Sequence, residues 1–334
     1  MLGPIAVGTG GLQDGPQALF LSIMSVLVIF NPISGAGRAR ILADRVAIAG
    51  RERGIEMDLV ATEPGFRADR WLRGHLKDRD ALVVVGGDGA VRLVASEASR
   101  AGIPLLHYPA GNENLFAREF GMLPDPDFVA ETLLSSSIRK VDLVRAEVDG
   151  RDDETVVLMG SMGLDAEVVH DLSSTREGSV NNASYVLPMI RQWLRYKPPR
   201  ISVTVDGKAV AEDVPGMVFV ANSRQYAARL DPARHARMDD GLIDLVMLPC
   251  RTKLGLLLWL AKVRLGRHLK ASKSVYATGR RIELETPEST LWQVDGDPPR
   301  EPLGVRRIAF EVVPEALSVL VPDGQRGSSG PRTP

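Results

Sequence analysis

The chain has 334 residues, 44% of them hydrophobic, and a formal net charge of −1 at pH 7. That length and apolar content suit about two packed domains, and the near-neutral charge gives no global basic signal for a nucleic-acid partner. Cys250 is the single cysteine, which excludes an intramolecular disulfide framework, fits a reducing compartment and reads as a small buried hydrophobe.

Residues 1–23 are expected to form a disordered extension, because Met1–Gln17 is glycine-rich and aperiodic. No basic stretch precedes the apolar run Ala18–Phe30, so a signal peptide is not expected, and folding is expected to begin at Met24. No segment approaches the roughly 20 apolar residues of a membrane-spanning helix.

From Ser25 to Ser137, strand and helix signals alternate. Val26–Phe30 is an apolar strand, and Arg38–Arg53 a helix with Leu42, Val46 and Ala49 on one face. Ile55–Ala61 is a second strand, followed by a helix carrying Ala68, Leu72 and Leu76. Ala81–Val85 is apolar throughout, as a strand buried on both faces must be. Val91, Val94, Ala95 and Ala98 mark another helix, and Ile103–His107 a fourth strand. This alternation predicts an open, mostly parallel sheet covered by helices.

The pattern changes after Lys140. Ile201, Val203 and Val205 alternate into the hairpin signal Asp206-Gly207, and Ile282/Leu284 and Ile308/Phe310/Val312 alternate likewise. Val141–Val148, Thr155–Met159, Met217–Ala221 and Leu242–Leu248 are further strands, and Ala183–Tyr196 and Lys253–His268 are two helices. The second half therefore reads as an antiparallel β-sandwich or flattened barrel. The two-sided apolar strand Ala316–Val321 can return to the first half, and the chain ends in a frayed tail. The expected domains are 24–138 with 315–322, and 139–314, followed by a disordered 323–334.

Three loops follow strands of the first domain, where ligands bind in open α/β sheets. Asn31-Pro32-Ile33-Ser34-Gly35-Ala36-Gly37 leads into a helix and suits an anion, though a tight turn explains it as well. It lacks the Gly-Lys-Ser/Thr of a P-loop, and no Gly-x-Gly-x-x-Gly follows the first strand. Gly86-Gly87-Asp88-Gly89 places glycines around an aspartate, as needed where a phosphate chain lies against backbone and a carboxylate meets metal or hydroxyl. Pro109–Arg118 offers Asn112 and Asn114 as phosphate or base donors, and Arg118 as either a phosphate contact or a solvated ion pair.

Together these segments resemble the diacylglycerol kinase catalytic family, which includes bacterial lipid kinases and sphingosine and ceramide kinases. The resemblance rests on Asn31–Gly35, Gly86–Ala90 and Pro109–Arg118, and continues in order through Gly163-Leu164-Asp165-Ala166, Val220-Ala221-Asn222, Asp240-Gly241-Leu242 and Val294-Asp295-Gly296-Asp297. It implies an α/β domain and a β-sandwich domain with the active site between them. It further implies that ATP contacts Asn31, Pro32, Ser34, Gly35, Thr62, Gly86, Gly87, Asp88, Gly89, Ala90, Arg92, Asn112 and Asn114. Asp297 would be the proton-accepting base, Asp88 part of the metal and phosphate network, and Asp165 a carboxylate that orients substrate or its surroundings. A structural Mg²⁺ would take Asp240 and the carbonyls of Arg237 and Leu242, an oxygen-only set suited to a hard cation. Read alone, Asp295-Gly296-Asp297 is a hairpin turn; the other motifs give it a catalytic reading.

Three positions depart from the family pattern: Ala90 and Asn112 stand where threonines are usual, and Asp297 where glutamate is usual. The shorter acid withdraws its carboxylate by one methylene, roughly 1.5 Å. The expected activity is ATP-dependent phosphorylation of a hydroxyl on a diacylglycerol-like or sphingoid lipid. The rivals are a catalytically silent nucleotide-binding module and an NAD kinase. Lys253–Lys270 and Ala183–Arg200 combine apolar and basic residues, as helices at a membrane interface do and as core-packing helices with a solvated basic end also do. The expected location is cytoplasmic, with peripheral contact to the inner face of the membrane, and homo-oligomers are compatible with the sequence.

Overall fold

The structure, a computed structural model, describes residues 23–32, 37–63, 68–135, 137–148, 153–174 and 186–323. In the first half, β1 (Ser25–Phe30), β2 (Glu56–Ala61), β3 (Ala81–Gly86) and β4 (Leu105–Pro109) form a parallel sheet in the order β2-β1-β3-β4. Val28 pairs with Leu59 on one side and Val83 on the other, and Val84 pairs with His107. Every residue of β3 is buried, which accounts for its uninterrupted apolar sequence. The helices are α1 (Ala39–Glu52), α2 (Ala68–Leu76), α3 (Asp88–Ala101), α4 (Leu115–Phe120) and α5 (Pro126–Ser135); α1 packs beside α5, and α2 beside α3. From β1 the chain crosses outward to β2, whereas from β3 it crosses the opposite way to β4. The crevice at this reversal lies beyond the ends of β1 and β3, where two of the three loops sit.

The second half is a sandwich. One layer contains β8 (Arg200–Val205), β12 (Arg281–Thr290), β14 (Val305–Leu320), β5 (Ile138–Val148) and β6 (Glu154–Val156). The other contains β11 (Val275–Gly279), β10 (Ile243–Pro249), β7 (Met159–Met162) and β13 (Trp292–Val294). The long strand β9 (Lys208–Ala221) serves both, pairing first with β8 and then with β10 and β7. It changes partner near Gly216, where a Cβ would lie 2.5 Å from the Leu248 carbonyl oxygen, so a side chain is excluded there. Val203, Ile282, Ile308, Val220, Leu245 and Trp292 fill the space between the layers. The outer face of the second layer carries α6 (Leu164–Ser174), α7 (Val186–Arg195) and α8 (Lys253–Arg264).

The α/β half and β-sandwich match the expected fold class. Four details differ from the sequence reading. Thr155–Met159 is not one strand: the Val157, Leu158 and Met159 N–H groups donate to the Asp295 carboxylate at 2.8–2.9 Å. The helix α6 was not expected, because its adjacent valines Val168 and Val169 favour strands; packing of Ala166, Val168, Val169 and Leu172 overrides that preference. The strand β11 and the helix α5 also went unread. Finally, the two terminal strand signals are one strand: β14 pairs antiparallel with β5 from Ile308↔Val148 to Leu320↔Ile138 and parallel with β4 at Val319↔Leu105. Two long strands thus run through both halves.

Candidate active site

The loop after β1 begins with Asn31 and Pro32; Ser34 and Gly35 lie outside the described residues. Thr62 is held beside the end of β1 by its N–H, which donates to the Phe30 carbonyl at 2.9 Å. At the end of β3, Gly87 alone separates the strand from α3, and no side chain caps that helix. Its opening N–H groups and positive dipole therefore face the crevice. Gly86 has no room for a side chain: a Cβ would sit 2.7 Å from the Ala90 Cβ. The Ala90 methyl packs against the core of the first half. Beneath the loop, the buried His107 bonds the Gly86 carbonyl through Nε2 at 2.8 Å, and burial lowers its pKa and keeps the ring neutral.

The third loop touches the second directly, since a Cβ on Gly111 would lie 2.7 Å from the Gly87 Cα. Here two of the expected site residues also hold the loops together. Both Asp88 carboxylate oxygens accept N–H bonds, from Leu115 and Phe116, each at 2.9 Å. Asp88, the first residue of α3, thereby caps the start of α4. Asn114, at φ +49°, accepts from the Gly111 N–H at 2.8 Å and donates to the Gly111 carbonyl at 2.7 Å. Its amide shapes the loop. Asn112 is exposed at the loop tip, and Arg118 pairs with Glu113 at 3.6 Å.

Opposite these loops, β13 ends in a two-residue turn. Val294 and Asp297 exchange backbone hydrogen bonds at 2.9 and 3.0 Å, with Asp295 at φ +52° and Gly296 at φ +85°. Positive φ at both central residues gives a tight hairpin matched to strand twist. Asp295 points inward to its three N–H donors; burial pushes its carboxyl up against the pull of those donors and Arg92, to a net value of about 6. Asp297 points outward with its side chain 34% exposed, 3.8 Å from Arg92 Nη2. Its Oδ2 lies 2.9 Å from where a Cβ on Gly89 would be. An acid of the sandwich and a glycine of the phosphate-type loop are thus near neighbours. Arg92 also meets Glu154 at 3.5 Å, with side-chain exposures of 12% and 5%. Its Nε is buried without a hydrogen-bond partner.

Asp165 opens α6, and its carboxylate accepts bonds from Ser161 Oγ, Tyr226 OH and Gln293 Nε2. Gln293 also donates to Ser161 Oγ at 2.9 Å and accepts the Gly296 N–H at 2.8 Å. Asp165 therefore supports the turn bearing Asp297 through Gln293. Gln293, Glu154 and His107 were given no role by the sequence, and Asp295 was read only as part of the Val294–Asp297 motif; Gln293 carried no signal at all.

Arg237, Asp240 and Leu242 adjoin one another at the start of β10, away from the glycine loops in sequence. Asp240 Oδ1 accepts the Leu242 N–H at 3.2 Å, and Gly241 N–H donates to the buried Asp142 at 2.7 Å. Burial raises the Asp142 pKa, with the Asp240 and Asp239 charges adding to it. Asp239 is paired there with Arg139 at 2.7 Å and Arg237 at 3.3 Å, while the Asp240 carboxylate and the neighbouring backbone carbonyls are the kind of oxygen donors a hard divalent cation takes. Among the described residues no group of three or more His, Cys, Asp or Glu is gathered for a metal. One carboxylate plus backbone carbonyls needs no such group.

Two family models match the chain: "Diacylglycerol kinase catalytic domain" over residues 25–146, and "YegS C-terminal NAD kinase beta sandwich-like domain" over 158–321. A Pseudomonas aeruginosa protein named "Probable lipid kinase YegS-like" is 30% identical over 293 residues, 84% of this chain and 90% of that protein. A Mycobacterium tuberculosis protein named "Diacylglycerol kinase" is 26% identical over 303 residues, covering 90% and 96%. The crystal structure of a Bacillus anthracis diacylglycerol kinase shares the fold at a TM-score of 0.63 and 15% identity, covering 90% of this chain and 98% of that one.

Proposed function

The chain belongs to the diacylglycerol kinase family, and from that membership we propose that it is an ATP-dependent lipid kinase transferring the γ-phosphoryl group to a hydroxyl of a diacylglycerol-like or sphingoid lipid. The observation that carries the reading is Asp297 of the sandwich lying against Gly89 of the glycine loop. Phosphoryl transfer asks a protein to grip the phosphate chain, offset its charge and accept one proton. The uncapped start of α3, with Gly86, Gly87 and Gly89 free of side chains, offers backbone N–H groups to phosphate oxygens. Asn31, Thr62 and Asn112 line the same strand ends and are assigned to the nucleotide, with Ser34, Gly35 and Pro32 of the first loop.

Asp297 takes the proton from the attacking hydroxyl. Arg92, 3.8 Å from the Asp297 carboxylate, supplies positive charge near the transferring group. Asp88 holds the second and third glycine-bearing loops together, and Asp165 with Gln293 holds the Asp297 turn in place. When bound with the nucleotide, Mg²⁺ supplies charge neutralisation at the phosphate oxygens. A second Mg²⁺ is assigned to Asp240 and the Arg237 and Leu242 carbonyls, where it would brace a loop.

The departures at Ala90 and Asp297 favour the second reading, nucleotide binding without turnover. A panel of lipids with γ-labelled ATP separates the two, run beside Asp297→Asn. Transfer by the wild type that drops by on the order of 100-fold or more in the variant supports the kinase. ATP binding with no label transferred to any lipid supports the silent module.

A further inference from the structure

In α8 two opposite faces are apolar, and among the described residues only one has a partner. Leu256, Trp259 and Val263 are buried against the outer face of the sandwich, alongside Phe219 and Leu248. Leu254, Leu257, Leu258 and, past the helix end, Leu265 follow the spacing i, i+3, i+4 and i+11, a single stripe on the other side. They are exposed by 66%, 46%, 56% and 67%. The neighbouring α7 adds Ile190 and Leu194, exposed by 50% and 57%. Lys253 Nζ donates to the Leu194 carbonyl, so the end of α7 adjoins the start of α8. Leucine carries no hydrogen-bonding group that would hold it at a water-facing surface, and a contiguous exposed patch of this kind marks an interaction site.

Charge selects the partner. Segments 186–199 and 250–274 contain arginines and lysines but no aspartate or glutamate, in a chain whose net charge is −1. Lys262, Arg264, Arg267 and Lys270 border the leucine stripe and are exposed. Lys262 lies 4.6 Å from the Trp259 ring centre, at the edge where the buried and exposed faces meet. An apolar stripe on segments whose only charged side chains are cations is complementary to an anionic bilayer surface: the leucines enter the acyl boundary and the cations meet headgroups. A second copy of this face would bring like charges together.

We infer that the outer face of α7 and α8 is the surface by which the protein docks on anionic membranes. The layer is joined to the candidate active site. Arg191 of α7 pairs with Asp171 of α6 at 3.0 Å, and the first turn of α6 carries the Asp165 carboxylate that supports the Asp297 turn. That the docked bilayer also supplies the substrate rests on the lipid-kinase reading; adsorption does not.

The test is co-sedimentation of the full chain with vesicles of phosphatidylcholine alone and of phosphatidylcholine with phosphatidylglycerol, at low and high salt. Wild type should partition onto the anionic vesicles and be released by salt. Leu254→Ser/Leu258→Ser should weaken partitioning by about tenfold or more, because each exposed leucine inserts independently. Arg264→Gln/Arg267→Gln should remove most of the salt dependence. Both variants should keep the wild-type melting temperature and turn over a water-soluble short-chain lipid without vesicles as wild type does. Wild type remaining in the supernatant overturns the inference, as do leucine variants that bind equally well. So does a wild-type dimer in light scattering that the leucine variants convert to monomer. Failure of turnover with intact vesicle binding would overturn the kinase reading alone.

Discussion

Replacing Gly89 with alanine should make the protein more stable and less active at once. Gly89 lies in the first turn of α3 with ordinary helical backbone, where alanine is favoured over glycine by about 0.5–1 kcal/mol. Its only neighbour within 4 Å of a new Cβ is the Asp297 carboxyl group, with Oδ2 at 2.9 Å. Comfortable carbon–oxygen contact begins nearer ~3.3 Å, so Asp297 must retreat by roughly 0.4 Å. As the partly exposed end of a side chain it can do so without straining the fold. A misplacement of about 1 Å costs on the order of 100-fold in rate, so a shift of this size should lower kcat by about tenfold. The assays are steady-state kinetics at saturating lipid and thermal unfolding. An unchanged kcat would refute the role given to the Gly89–Asp297 approach. A loss confined to KM for ATP would refute it too, by moving the effect to the phosphates.

Gln293→Leu removes the acceptor of the Gly296 N–H and the donor to Asp165, and should lower kcat by about tenfold with KM for ATP little changed. Gln293→Glu should recover activity as pH falls, when its proton restores the donor to Asp165; a flat pH profile relative to wild type would contradict the positioning role. Burial pushes the Glu167 carboxyl from 4.5 up to about 7. Its folded-state pKa is above the unfolded value, so the native state holds this proton more tightly, and stability is full below about pH 4.5 and lost as pH rises through about 7. Glu167→Gln should therefore melt above wild type at pH 8 by roughly 1–2 kcal/mol, with the gap closing at pH 5; equal melting at both would contradict the burial argument. Mg²⁺ without nucleotide should raise the melting temperature of wild type and not of Asp240→Asn, reaching about 2.7 kcal/mol at 100 times the dissociation constant; an equal rise in both would remove Asp240 from the ligand set.

The first half was readable because its strands are buried on both faces and separated by helices of clear period, as β3 and α3 illustrate. The glycine loops were readable for a related reason: their glycines are where backbone meets backbone, as at Gly87 and Gly111. What the sequence could not show is which partner each polar side chain finds. Asp88 is spent on the α4 N–H groups and Asn114 on Gly111, contacts between loops whose approach is set by the sheet. Gln293 looks like any strand residue until β13, β7 and α6 converge on it. The exposed stripe of α8 was hidden by its own composition, since leucines on every side do not reveal which face the sandwich covers.

The closeness of Asp297 to Gly89 depends on how the two halves are joined, and the joint is made of strands. The strands β5 and β14 pair along both halves, so moving one half against the other must bend a hydrogen-bonded ribbon. The ribbon has one irregularity, between Val313 and Leu317, where Glu315 adopts φ +50°. Asp142 of β5 occupies that place: its Oδ1 accepts the Glu315 N–H at 2.8 Å and its Oδ2 the Gly241 N–H at 2.7 Å. One buried carboxylate therefore ties the bend in the ribbon to the loop of Arg237, Asp240 and Leu242.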